Sequence, residues 1–103
     1  MMSDMQELEA LRASIDNIDS AIFAMLAERF KLTDRVGHFK AKHQLAARDA
    51  QREAAQHEKV VMLAEQYGLD AEFARQLLDV VLTRVVENHR ELAARVATPE
   101  RAP

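Results

Sequence analysis

The sequence predicts an all-α fold of three helices, one long and two shorter, and three observations carry that prediction. Glycine and proline number only 2 each in 103 residues, whereas a β-sandwich or barrel needs them at its many turns. Apolar residues recur at helical spacing through long stretches. Residues that cap helices stand between those stretches.

The first helix is expected over residues 4–42, which lack proline and hold one glycine, Gly37. Ser3 or Asp4 can cap its start, and Asp4-x-x-Glu7 has the form of a capping box. Its apolar positions follow a heptad. One row is Leu8, Ile15, Ile22, Arg29 and Val36; the other is Leu11, Ile18, Met25, Leu32 and Phe39. Arg29 alone breaks this coiled-coil-like seam. Such a helix spans roughly 55 Å at 1.5 Å per residue. A compact 100-residue domain is only about 35 Å across. The first helix therefore overshoots a monomeric globule while still carrying apolar residues, and a second chain is expected to cover it. A helical domain this small is also marginal alone, which oligomerisation remedies.

Residues 43–48 lose the pattern and read as a connector. Asp49 is a good N-cap for a second helix, which runs to about Tyr67 and stops at Gly68, a typical residue just past a helix end. Asp70 can cap a third helix reaching about Val96. Its buried stripe is expected to be Ala74, Leu77, Leu78, Val81, Leu82, Val85, His89 and Leu92. The whole then reads as a single domain over residues 4–96. Residues 97–103 are polar, contain both prolines, and are expected to fray.

Composition narrows the function. The net charge of −3 and pI of about 5.8 argue against nucleic acid as the partner, since phosphate-binding surfaces carry a basic excess. With 0 cysteines there is no disulfide framework or thiolate site. The first twenty residues are charged and lack an apolar signal segment. No apolar run suits a membrane, so a soluble, cytoplasmic protein is expected. No histidine pair has metal-ligand spacing, so no metal is expected. Ser3, Ser14 and Ser20 have no local histidine partner, which argues against nucleophilic catalysis.

Polar residues at apolar positions are the candidates for chemistry. Arg29 in the seam pairs with a buried carboxylate, snorkels to solvent, or meets an anion. Lys40 lies eleven residues on, which returns to within about 20° of the same face. Arg12 lies about 100° away from Arg29. It is either a solvated residue or one that an antiparallel partner helix brings to Arg29. Asp49 and Glu53 are one turn apart and face the same way, as a cap and surface carboxylate or as a functional pair. His89 interrupts the apolar stripe of the third helix, as a hydrogen-bonded core residue or as a reactive one.

Taken in order, these residues resemble a known family. The run Leu11-Arg12, Asp19, Leu26-Ala27-Glu28-Arg29, Val36-Gly37-x-x-Lys40, Arg48-Asp49-x-x-Arg52-Glu53 is similar to the all-helical, AroQ-class chorismate mutases, and the Gly68-Leu69-Asp70 junction fits their second inter-helix loop. The likeness covers about residues 5–95. It implies an intertwined homodimer with two active sites, each drawing on both chains, and the Claisen rearrangement of chorismate to prephenate without metal or cofactor. It implies that Arg29 and the partner's Arg12 clamp the two substrate carboxylates. Lys40 would bind a carboxylate and the ether oxygen, where negative charge grows as the C–O bond breaks. Asp49 and Glu53 would contact the ring hydroxyl or position the cationic groups, and Val36 would form part of the apolar wall. A shikimate-pathway enzyme is a further partner that the resemblance admits.

Two positions depart from the family pattern: Val85 and His89 stand where many members carry Ser and Gln. Sliding the register by two would supply Thr83 and Glu87 instead. It would also rotate the helix by about 200° and expose Val81 and Val85, so the unshifted register is preferred. Val85 is then a lost polar contact. His89 substitutes for Gln, donating through a ring N–H whose presence depends on tautomer and protonation; with Lys40 it is expected to stabilise the oxyanion. Rivals on the same scaffold are a 4-amino-4-deoxychorismate mutase and an isochorismate-pyruvate lyase. As that lyase subfamily does not retain the acidic pair, Asp49 and Glu53 favour a mutase. A rival of another class is a non-catalytic dimerisation or regulatory module.

Overall fold

The computed structural model describes residues 3–97, and they form three helices: α1 (Asp4–Lys42), α2 (Ala50–Tyr67) and α3 (Ala71–Ala97). No strand occurs among the described residues. The fold is the all-α one expected, with boundaries within a residue or so of those read from the caps. Ala97 belongs to α3 and not to the tail; the rest of the expected frayed segment, 98–103, lies outside the described residues.

The start of α1 corrects the expected capping box. Ser3 and Gln6 form it, one residue earlier than Asp4 and Glu7. The Gln6 N–H donates to Ser3 Oγ at 3.1 Å, and the Ser3 N–H donates to Gln6 Oε1 at 2.9 Å. Two orphan donors of the first turn are thereby satisfied together. Asp4 and Glu7 sit in the first turn, where their charge complements the helix dipole.

The end of α1 is a Schellman turn without the usual glycine. The Leu45 N–H reaches the Lys40 carbonyl at 2.8 Å and the Gln44 N–H reaches Ala41 at 3.3 Å. Gln44 closes this turn at φ 56°, in the left-handed region where a side chain costs about 1–2 kcal/mol. Gln44→Gly is therefore expected to raise the melting temperature by a few degrees. A lower melting temperature would mean that the glutamine side chain contributes more than the strain costs.

At the other two junctions the sequence signals act as expected. Asp49 Oδ1 accepts from the Arg52 N–H at 3.0 Å, capping α2. Gly68, at φ 73°, ends α2 with its N–H on the Ala64 carbonyl. Asp70 Oδ1 accepts from the Phe73 N–H at 2.8 Å and opens α3. Nothing stands within 4 Å of a Cβ placed at Gly68, so Gly68→Ala tests backbone conformation alone. It should lower stability by about 1 kcal/mol; an unchanged urea midpoint would refute this.

The residues group into two compact units, one ending at Leu32 and one beginning at Thr33. In the first unit the heptad rows of α1 stand exposed: Leu8, Leu11, Ile15, Ile18, Ile22, Met25 and Leu32. In the second unit α2 packs on α3, and the buried apolar residues are Ala64, Ala74, Leu78, Leu82 and Val85. Val81 and Leu92 are half-buried. Leu77, expected in the stripe, is instead 48% exposed. It lies with exposed Phe73 and Val80 on the margin of the α3 stripe, where helical period alone does not decide burial.

Candidate functional site

The second unit holds most of the singled-out residues. Lys40 lies in the last turn of α1, and the Schellman turn sends the chain back past it. Its Nζ donates to the Ala47 carbonyl at 3.0 Å. One of three ammonium protons thus fastens the connector, and the other two have directions of their own.

The connector ends at Arg48, whose Nε donates to Glu53 Oε2 at 2.9 Å. The Glu53 side chain is 19% exposed and that of Arg48 66%. This half-exposed pair adds little to stability, but it sets the direction of the Glu53 carboxylate. Asp49 lies between them, and one of its oxygens caps α2. Arg48 and Glu53 line a cleft of about 260 Å³ with Leu82, Thr83, Glu87 and Arg90 of α3. Thr83 and Glu87 are exposed residues there, whereas Val85 and His89 are buried, as in the unshifted register.

His89 is 4% exposed. Its Nε2 lies 2.7 Å from the Thr33 carbonyl oxygen. A carbonyl can only accept, so Nε2 carries a hydrogen. Nδ1 is buried without a hydrogen-bond partner. Donation to an ether oxygen through Nε2 is therefore closed by Thr33, and any polar contact with a ligand falls to Nδ1. The ring lies against Gly37: a Cβ there would stand 2.6 Å from His89 Cδ2. Gly37 is the glycine that close approach requires, since its partner is a buried, hydrogen-bonded ring. Val85 is 8% exposed and Val36 47%.

The first unit holds the two arginines. Arg12 is exposed. Arg29 is half-buried, and its Nη1 is buried with no hydrogen-bond partner. Of the alternatives for Arg29, a pairing with a buried carboxylate is absent at Nη1 among the described residues. Among the described residues no group of three or more His, Asp and Glu could hold a metal ion, and no helix is long and apolar enough to cross a membrane.

Sequence reasoning missed the role of Arg48 and that of His57, which read only as a mid-helix residue. His57 Nε2 lies 2.6 Å from Asp79 Oδ1, and Nδ1 lies 2.8 Å from the Glu53 carbonyl. Chiefly the hydrogen bond to Asp79, and then that to Glu53, raise its pKa above the ordinary 6.5, against a lowering by desolvation. The spacing His57 to Glu53, one turn, was a usable signal; the register of α2 on α3 that brings in Asp79 was not.

Residues 11–90 match the family described as "Chorismate mutase type II". A 4-amino-4-deoxychorismate mutase of Streptomyces pristinaespiralis is 30% identical over 96 residues, 93% of this chain and 74% of that protein. A bifunctional chorismate mutase/prephenate dehydratase of Buchnera aphidicola is 32% identical over 81 residues, 79% of this chain and 21% of that protein. A protein of the same name from Aquifex aeolicus is 43% identical over 65 residues, 62% of this chain and 18% of that one. The chain spans about a fifth of the length of these bifunctional relatives.

Proposed function

The chain belongs to the chorismate mutase type II family, and on that premise we propose that it converts chorismate to prephenate as a cytoplasmic homodimer whose two sites each draw on both chains. One observation carries this reading. The Arg29 Nη1 is buried without a partner, and a buried unsatisfied donor costs about 1–3 kcal/mol. A bound carboxylate removes that cost, and guanidinium binds carboxylate in a planar fork. Chorismate is a dianion, so it offers one carboxylate to Arg29 and another to the partner's Arg12. Both arginines hold the enolpyruvyl side chain over the ring, which lowers the entropic part of the barrier.

Lys40 answers the second demand, charge growing on the ether oxygen. Its ammonium is fixed through Ala47, so it need not reorganise as that charge develops. Glu53, which Arg48 orients, and Asp49 accept from the ring hydroxyl or position the cationic groups. Val36 and Val85 supply apolar wall. His89 is held through Nε2 by Thr33, so it donates to the ether oxygen only through Nδ1 and only as a doubly protonated ring.

The test is loss of chorismate absorbance with purified protein across pH 5–9. Turnover with release of prephenate is expected; none at any pH would refute the reading. Lys40→Ala should lower kcat/KM by about 10²–10³ with the dimer intact in sedimentation. A structural module would show no turnover to lose. The likeness to 4-amino-4-deoxychorismate mutases favours one second reading, in which Asp49 and Glu53 face a ring ammonium. Assays with 4-amino-4-deoxychorismate and with isochorismate separate it and the lyase from the mutase.

A further inference from the structure

Both hydrogen-bond partners of His57 are acceptors. Its Nδ1 faces the Glu53 carbonyl oxygen at 2.8 Å and its Nε2 faces a carboxylate oxygen of Asp79 at 2.6 Å. Neither oxygen has a hydrogen to give, so each ring nitrogen carries one, and the ring is an imidazolium. We propose that doubly protonated His57 is a positioning residue for Glu53: it clamps the first turns of α2 to α3 through Asp79 and so holds the Glu53 carboxylate where the reaction uses it. This rests on the mutase reading of Glu53 given above.

Position makes the clamp consequential. Glu53 lies in the first turn of α2, directly after the connector, and first turns fray most readily. The clamp takes hold at that turn's own carbonyl and ties it to the neighbouring helix. The charged groups around the ring are Glu53 from α2 and Asp79 from α3, both favouring the imidazolium. Beside them in the cleft Arg48 is paired with Glu53 at 2.9 Å, Glu87 lies 3.8 Å from Arg84, and Arg90 lines the cleft wall.

The sign of the pH effect follows. The folded-state pKa is raised, so the clamp is complete below about 6.5, the unfolded value, and is halved as pH rises through the folded value, because a neutral ring keeps one N–H for two acceptors. Through misplacement of Glu53, kcat/KM should fall about tenfold across that rise. Asp79→Asn discriminates. An Asn amide donates to the Nε2 lone pair of a neutral ring, so the bridge survives without the second proton.

The experiment follows kcat/KM from pH 6 to 9 in the parent, Asp79→Asn and His57→Gln, alongside NMR titration of the His57 ring nitrogens and the Glu53 carboxyl carbon. In the parent the Glu53 resonance should move with the His57 titration, at a midpoint above 6.5. In Asp79→Asn that coupled movement and the basic arm should both vanish, with the rate at pH 6 kept within about twofold. A His57 midpoint at or below 6.5, a Glu53 resonance indifferent to it, or a basic arm that persists in Asp79→Asn or His57→Gln overturns the proposal. Coupled resonances in a protein that turns over none of the three substrates overturn the mutase reading and leave the clamp standing.

Discussion

Arg29→Met is expected to lower kcat/KM by at least about 10²–10³ while leaving the unliganded protein as stable as the parent, or more so. The two halves share one cause. In the proposed site Arg29 grips a substrate carboxylate, so its loss removes both binding and orientation of the enolpyruvyl side chain, and misplacement alone costs about 10²-fold. The Nη1 hydrogen-bonds to nothing among the described residues. Its burial therefore opposes folding, by about 1–3 kcal/mol. Methionine keeps length and apolar contact without the buried charge, and replacing buried charge by apolar bulk is often neutral or stabilising. Thermal denaturation without substrate and kcat/KM with it read the two effects separately. A melting temperature several degrees lower, with activity intact, would make Arg29 a structural residue.

Gly37→Ala is expected to destabilise the fold, against the usual rule. In an ordinary helix interior the change gains about 1 kcal/mol. Here the new methyl carbon would stand 2.6 Å from His89 Cδ2, 3.1 Å from Nε2 and 3.3 Å from Leu92 Cδ2. The ring has no easy retreat, being 4% exposed and bonded to Thr33 at 2.7 Å. Overpacking of this kind costs about 1–3 kcal/mol, and loss of the buried hydrogen bond adds about as much again. The net is a loss of about 1–5 kcal/mol, or about 4–8 °C in melting temperature per kcal/mol for a chain of this size. Pairing the change with His89→Ala should recover part of the loss. A higher melting temperature for Gly37→Ala alone would refute the packing argument.

Helix limits were legible because they depend on local chemistry. Asp49, Gly68 and Asp70 act within four residues of themselves, so sequence order is enough to read them. The capping box shows where locality fails. Ser3-x-x-Gln6 and Asp4-x-x-Glu7 have the same form one residue apart, and only the backbone of the first turn selects between them. The Schellman turn at Gln44 left no glycine to read. Leu77 was misplaced because periodicity gives a stripe and not its edges. At the site, Arg29, Lys40, Asp49, Glu53 and His89 stood out as residues of the wrong polarity or of matched spacing. What those residues touch was hidden, since Ala47 and Thr33 offer backbone carbonyls, which every residue has. The His57–Asp79 contact spans two helices and needs their mutual register.

The exposed apolar rows of α1 bear on how the protein behaves when it is diluted. The buried apolar residues of the second unit are Ala64, Ala74, Leu78, Leu82 and Val85, a small core for a chain of 103 residues. In the proposed dimer, much of the remaining apolar cover comes from association, so folding and assembly share one equilibrium. Specific activity then ceases to be a constant of the chain. It should decline as enzyme is diluted below its own dissociation constant, and substrate, by bridging an arginine from each chain, should hold the halves together.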